Sequence, residues 1–556
     1  MTDTPWSIYP RPQFRRDSFF CLNGEWDFGV SKSEDNPVYD KTIRIPFPPE
    51  SRASGLEMSI EKGDFLFYRK TFSLPEGFSL GGDILLHFGA VDQIAEVQIN
   101  GNVLGTHEGG YLPFSFNIAP YLKEENTLCV RVKDDLDHTY PWGKQKKKRG
   151  GMWYTPVSGI WQTVWCEALP ASYIRAVKLT PSTVGVDFAF DSPEEVEITL
   201  ESGEAYTTVG GRAFVAPKEI HLWTPETPYL YGYTARMGED TVRGYFALRE
   251  IGSETVNGMP RLTLNGKPYF FHALLDQGYF DDGIFLPERY ERMEEDIRLV
   301  KTLGFNTLRK HIKIEPMYFY YLCDKYGIAV FQDAVNNSDY SFFLDTALPT
   351  VGQLTKNDTR LHRDERSREM FRRHTLDMIE YLYNTPSLLY YTIFNEGWGQ
   401  FCADEMYGMC KNADATRIYD ATSGWFLEHK SDVDSRHIYF KKLRHKKYRG
   451  YETPLPFVIS EFGGYSLRVD GHTFGKDNYG YRLFGDAAAL SDAIFTLYRD
   501  EVLPLIGEGL CATVLTQFSD VEDETNGMVT YDREVIKVDV EKMQEIARLL
   551  SEEISK

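Results

Sequence analysis

After Gly258 the chain changes its rhythm: strand-like runs begin to alternate with helix-like ones, and the alternation continues to the end of the sequence. Eight strand-like runs follow one another: PYFFHALL, FNTLRKH, IAVFQDA, LLYYTIFN, RIYDAT, HIYF, PFVISE and CATVLTQF. Most are short, largely apolar and rich in β-branched and aromatic residues, as strands covered on both faces of a parallel sheet must be. The intervening segments carry helical spacing. Tyr290, Met293, Ile297 and Val300 share one face, a run from Met317 to Tyr326 stops at Gly327, and Phe371, Thr375, Met378 and Leu382 line a helix that ends before Pro386. A last helix from Val540 to Leu550 covers the remaining gap. Eight strands alternating with helices is the number that closes a (β/α)8 TIM barrel, whose chemistry sits at the C-terminal ends of its strands.

The chain before the barrel is β-rich. At 556 residues it is long enough for three or four domains at about 150 residues each. Residues 1-170 alternate short strands with turns, as in DILLHFG, AEVQI and TLCVRV, and Asn100-Gly101 is a two-residue hairpin signal, since both residues tolerate positive φ. A jelly-roll β-sandwich is expected there. Residues 171-252 carry further strands, such as EVEITLE and TVRGYFALREI, and are expected to form a small immunoglobulin-like β-sandwich, leaving 253-556 for the barrel.

Two glutamates stand at strand ends: Glu396 closes LLYYTIFNE and Glu461 closes PFVISE. One such glutamate is commonly only a strand-end cap. Two carboxylates facing one cleft are the machinery for breaking a glycosidic bond. Other strand-end positions carry candidates for holding a sugar. Asp276 lies on the exit of the first strand and suits the gripping of hydroxyls, with Asp281 and Asp282 as weaker candidates, while Trp398 and Trp425 follow the fourth and fifth strands and suit stacking on sugar faces.

Several ordered segments resemble glycoside hydrolase family 2, the family of β-galactosidases, β-glucuronidases and β-mannosidases. Asn395-Glu396-Gly397 and Ile459-Ser460-Glu461-Phe462-Gly463 are similar to its acid/base and nucleophile signatures. LNGEWDF, INGNVLGTHEGGYLPFSFNI and SGIWQTVW look like its sugar-binding β domain, and LNGKPYFFHALLDQGY, GFNTLRKH, DATSGW and NGMVTYDR look like its barrel. The resemblance implies a retaining exo-β-glycosidase, with Glu396 as acid/base and Glu461 as nucleophile on strands four and seven. It implies that Asn395 bonds the sugar 2-hydroxyl and that Tyr439 orients the nucleophile. Arg309 matches the family's arginine and is expected to hold Glu461 ionised, and His311 matches a histidine position open to sugar contact or to packing.

Departures from the family shape the remaining expectations. Where metal-dependent β-galactosidases carry ligands, this chain has Asp333-Ala334-Val335-Asn336-Asn337, so neither a metal nor another cofactor is expected. Where many β-glucuronidases carry an Asn-x-Lys clamp, it has the acidic stretch Asp520 to Glu524, which should repel a uronate. A small neutral glycoside, a β-galactoside first, is therefore the expected substrate, with a β-glucuronide second and a carbohydrate-binding protein without turnover as the alternative from another class.

A net charge of -21 argues against nucleic-acid and anionic-membrane partners. The basic runs Lys146 to Arg149 and Arg444 to Arg449 read as solvated loops. No run approaches 18 apolar residues, and seven scattered cysteines without Cys-x-x-Cys spacing read as free thiols, so the expected setting is cytoplasmic. The expected partner is a small-molecule β-glycoside or oligosaccharide, and homo-oligomerisation is left open.

Overall fold

The computed structural model describes residues 4–350, 358–451 and 453–556. The N-terminal region is a sandwich of a six-stranded and a four-stranded antiparallel sheet. Alternation along Asn126–Lys133 puts Leu128, Val130 and Val132 inside, against Trp26, Phe28 and Tyr68. The hairpin at Asn100-Gly101 joins Ile94–Ile99 to Asn102–Glu108, and both turn residues have positive φ (51° and 82°). A second sandwich follows, of a three-stranded and a four-stranded sheet, between Val177 and Phe246.

The barrel strands are β1 Phe271–Asp276, β2 Thr307–Lys310, β3 Ala329–Asp333, β4 Leu388–Asn395, β5 Ile418–Ser423, β6 Asp434–Ile438, β7 Phe457–Gly463 and β8 Leu510–Thr516. They form one parallel sheet in the order β5-β4-β3-β2-β1-β8-β7-β6, a nearly closed TIM barrel whose seam lies between β5 and β6. The helices Glu291–Thr302, Met317–Tyr326, Glu365–Leu382 and Val540–Ile554 lie where the periodicity puts them, and Gly327 ends the second in the left-handed conformation. An antiparallel pair, Ile251–Val256 and Met259–Leu264, brings Leu262 and Leu264 against Phe271, Phe331 and Tyr390 at the N-terminal end of the barrel.

At the opposite end the first sandwich packs directly on the barrel. Trp6, Phe47, Tyr111, Trp142 and Trp161 belong to the same buried cluster as Phe285, Ile312 and Val335. Trp142 N and Gly143 N both donate to Asn336 O (3.0 and 3.2 Å), and Arg149 pairs with Asp523 at 2.8 Å. The sandwich is thereby fixed as one wall of the mouth. The seven cysteines are free thiols, and among the described residues no helix is long and apolar enough to cross a membrane.

Candidate active site

Arg309 organises the mouth. It faces inward from β2, is almost wholly buried, and reaches four other strands, meeting His437 Nε2 on β6 at 3.4 Å. Nε donates to Asp333 Oδ1 at 2.9 Å on β3, Nη2 to Asn395 Oδ1 at 2.8 Å on β4, and Nη1 to Ser460 O at 2.9 Å and Glu461 Oε1 at 3.2 Å on β7. The planar, permanently charged fork suits this task because each N–H has a fixed direction. Asp333 is closed off on its other oxygen by His311 Nδ1 at 2.7 Å. Burial alone would raise the Asp333 carboxyl, but Arg309 and His311 hold it at about 2. Asp333 is thus spent on positioning the arginine.

Glu461 receives a second donor on Oε2, the Tyr439 hydroxyl at 2.8 Å, and Tyr439 is itself braced by Thr516 at 2.7 Å. Burial favours the neutral acid here too, yet the charges of His437 and Arg309 outweigh it and hold Glu461 well below the usual carboxylate range. The Tyr439 hydroxyl is pushed well up, by burial first and by the Glu461 charge second, so it stays a donor.

Glu396 has φ 54° and Gly397 φ 72°, so the chain leaves β4 through two left-handed residues. A Cβ at Gly397 would overlap the Phe426 ring, which is why the Asn-Glu sequence needs glycine next. The turn brings Glu396 Oε1 to His437 Nδ1 at 2.8 Å, and the same nitrogen lies 3.5 Å from Glu461 Oε2. One oxygen of each glutamate and the ring nitrogen lie within 4.8 Å of one another. The Glu396 side chain is 21% exposed against 8% for Glu461, so the former is the more open to solvent.

His437 is the residue that sequence reasoning missed. Its Nε2 meets the Ser423 hydroxyl at 2.9 Å, bridging the β5–β6 seam. The signal was available: residues 437 and 439 share a face on a two-residue period, and Tyr439 was already assigned to the mouth. Among the described residues, Glu396, His437 and Glu461 are also the one group of His, Cys, Asp and Glu side chains close enough to hold an ion. The hydrogen bonds above already use their facing atoms.

Other candidates fall differently. Asp276 is corrected. In register Leu275 pairs with Arg309 and Asp276 with Lys310, so Leu275 points into the barrel with Ala273 and Val514, and Asp276 points out. Its oxygens are taken by Lys310 Nζ (2.6 Å) and Gly278 N (2.9 Å) in a buried cluster with Glu315 and Lys313. Trp398 is only 3% exposed, donates to Ser338 O and is packed edge-on by Trp142, Trp153 and Tyr340, so it is wall and presents no free face. Trp425 is half-buried beside His437, and its indole N–H has no partner among the described residues.

The acidic stretch also differs from expectation. Asp520, Glu522, Asp523 and Glu524 are buried and turned into the protein. Lys537 pairs with Asp520 at 2.5 Å, Arg149 with Asp523 at 2.8 Å, Thr155 N with Glu522 at 2.9 Å, and Tyr154 and Asn526 with Glu524. Burial pushes Asp520 up to about 6 despite Lys537, and raises Glu522 and Glu524 as well. The loop therefore presents little negative charge to a ligand. Lys144, on the sandwich loop that docks on Asn336, accepts from Tyr154 N through its backbone carbonyl, its side chain makes no hydrogen bond or ion pair among the described residues, and its charge reaches Glu461, His311 and Glu524.

Two family models match the chain: a glycosyl hydrolase 2 galactose-binding domain-like model over residues 53–168, and the TIM barrel domain of glycosyl hydrolases family 2 over residues 260–466. A β-galactosidase of Thermoanaerobacter pseudethanolicus is 28% identical over 302 residues, 48% of this chain and 39% of that protein. A β-glucuronidase of Felis catus is 25% identical over 383 residues, 59% of this chain and 58% of that protein. The chain thus spans between about two-fifths and three-fifths of those relatives' length. The fold is shared with a solved Ruminococcus gnavus β-glucuronidase (TM-score 0.75, 16% identity, 99% and 100% of the two chains) and with a β-galacturonidase from Eisenbergiella tayi (0.66, 20%, 98% of both).

Proposed function

We propose, for a chain that belongs to glycoside hydrolase family 2, that it is a retaining exo-β-glycosidase in which Glu461 attacks the anomeric carbon and Glu396 serves as acid, then base. One observation carries this reading: one oxygen of each carboxylate lies within 4.8 Å of the other, in keeping with the roughly 5–5.5 Å carboxyl separation of retaining enzymes and short of the roughly 6.5–9.5 Å at which inverting enzymes seat a nucleophilic water. The unlike surroundings suit unlike roles. Glu461 sits under two fixed donors and stays ionised, as a nucleophile must. Glu396 lies nearer the solvent, where a leaving oxygen needs a proton. Asn395, oriented by Arg309, keeps its amide N–H for the sugar 2-hydroxyl, and the sandwich wall favours a terminal sugar over a through-running chain.

Two sugars fit. A β-galactoside is the first reading from sequence, but its argument against uronides relied on an acidic loop that turns inward. A hexuronide is the second, favoured by Lys144, whose ammonium at the mouth has no hydrogen-bond or ion-pair partner among the described residues. Hydrolysis of nitrophenyl β-galactoside, β-glucuronide and β-galacturonide, each beside Glu461→Gln, tests the reading. Turnover abolished by the substitution supports it; no turnover of any β-glycoside leaves a carbohydrate-binding protein instead.

A further inference from the structure

We propose that Phe440, with Tyr481 and Tyr439 behind it, forms a binding surface for a flat apolar leaving group, so that the substrates are glycosides of aromatic or polycyclic alcohols. The inference rests on the glycosidase reading above. Exposed apolar residues are ordinary when scattered singly. Phe440 differs in three respects. It directly follows Tyr439, whose hydroxyl touches Glu461, and its ring is 76% exposed. Its backbone has φ 59°, a left-handed conformation that a bulky side chain rarely adopts, and such outliers cluster at functional sites. Its ring is held in place: Phe440 meets Tyr481 edge-on at 4.7 Å and 65°, and Tyr481 meets Tyr439 at 4.6 Å and 62°.

The support behind these rings is fixed as well. Tyr481 N donates to Gly464 O at 3.0 Å at the exit of β7, and Tyr479 exchanges backbone hydrogen bonds with Asp523 O (2.8 Å) and Thr525 N (3.0 Å). The result is a rigid aromatic step that rises from the nucleophile's own hydrogen-bond partner to the surface. Below the carboxylate pair, Arg309, Asn395 and Asp333 are buried and mutually engaged, so a sugar seated there has its leaving group pointing outward. An aromatic face at that point gains by desolvation and edge-to-face contact with a flat apolar group, and gains nothing with a small polar one.

The test compares 2-naphthyl β-glycoside with the glycosyl fluoride of the same sugar, in the wild-type protein, Phe440→Ala and Phe440→Trp. Phe440→Ala should lower kcat/KM for the naphthyl substrate about tenfold, through KM, and leave the fluoride within about twofold; Phe440→Trp should retain naphthyl activity. Equal loss on both substrates would mean that Phe440 only props Tyr439, and would overturn the proposal, as would no loss on either. Direct binding of 2-naphthol, followed by its fluorescence, makes the comparison without turnover. A Kd raised about tenfold in Phe440→Ala supports the surface even if no glycoside is cleaved, and an unchanged Kd refutes it even if one is.

Discussion

Replacing His437 by phenylalanine should separate the two carboxylates' shared support from everything else at the mouth. The ring volume is retained against Trp425, while four interactions disappear: Nδ1 to Glu396 at 2.8 Å, the 3.5 Å approach to Glu461, Nε2 to Ser423 across the β5–β6 seam, and the 3.4 Å contact of Nε2 with Arg309 Nη1. A hydrogen bond to a charged group contributes about 1.5–3 kcal/mol, so losing the bond to Glu396 should cost roughly 10- to 150-fold in kcat/KM. The pH profile carries a second signature. His437 is the foremost of the charges opposing the effect of burial on Glu461, with Arg309 next and His311 and Lys144 behind. Without it the folded-state pKa of Glu461 rises, and the acid limb of kcat/KM should move to higher pH. Asp420, buried nearby, and Arg309 remain in both proteins and set the background. His437→Asn, which restores a donor without a charge, should recover part of the rate and none of the limb. The assay is kcat/KM for a nitrophenyl β-glycoside from pH 4 to 9, with thermal melting to establish that the variant is folded. A loss under about threefold with both limbs in place would show that His437 merely spans the seam, and would refute the reasoning.

Three further outcomes follow from particular residues. Glu396→Ala should cost roughly 10² to 10⁴ in rate on alkyl glycosides and far less on dinitrophenyl ones, which need little protonation; equal losses would remove it from the acid role. Lys144→Met should lower kcat/KM for a glucuronide or galacturonide about a hundredfold and leave a galactoside within threefold, while parallel losses would show that the lysine serves the site and no substrate carboxylate. Burial, with His107 and Arg373 adding to it, holds His374 at about 3, and both its ring nitrogens lack hydrogen-bond partners among the described residues. Its contribution to stability is complete above its unfolded pKa of about 6.5 and is lost as pH falls toward 3, by about 1.4 kcal/mol per pH unit. His374→Phe should therefore flatten the fall of Tm between pH 6.5 and 4, and an unchanged slope would contradict the assignment.

Much of the barrel was legible because its signals are local. A strand covered on both faces must be apolar throughout, and a helix resting on it must repeat every three or four residues, so the eight strands and four of the helices are readable from neighbours alone, while the helices Ala403–Ala413 and Ala487–Leu497 fall outside that reading. Local signals also locate Glu396 and Glu461, since strand ends define the mouth. Pairing between distant residues is what the sequence conceals. Asp520 to Glu524 reads as a repelling loop until Lys537 and Arg149 are seen against it, the latter from a different domain. Lys144 stands just before the basic run Lys146 to Arg149, and nothing in the sequence places it at the mouth until the sandwich docks on Asn336 and carries it there. Asp276 is a different case: the two-residue period that puts Arg309 inside the barrel puts Lys310 outside, and their neighbours on β1 follow. A strand-end position alone does not say which face its side chain takes; the two-residue period does. The same period would have found His437.

The central claim is that Glu461 bonds to the sugar. A 2-deoxy-2-fluoro β-glycoside with a good leaving group slows both steps, the second more than the first, so the glycosyl-enzyme should accumulate and be visible in the intact mass. Peptide mapping should then place the label on Glu461 within FVISEFGG, and NMR of a turned-over substrate should show the β-anomer first. A label on Glu396 or on any other carboxylate, or an α-anomer as first product, would contradict the account.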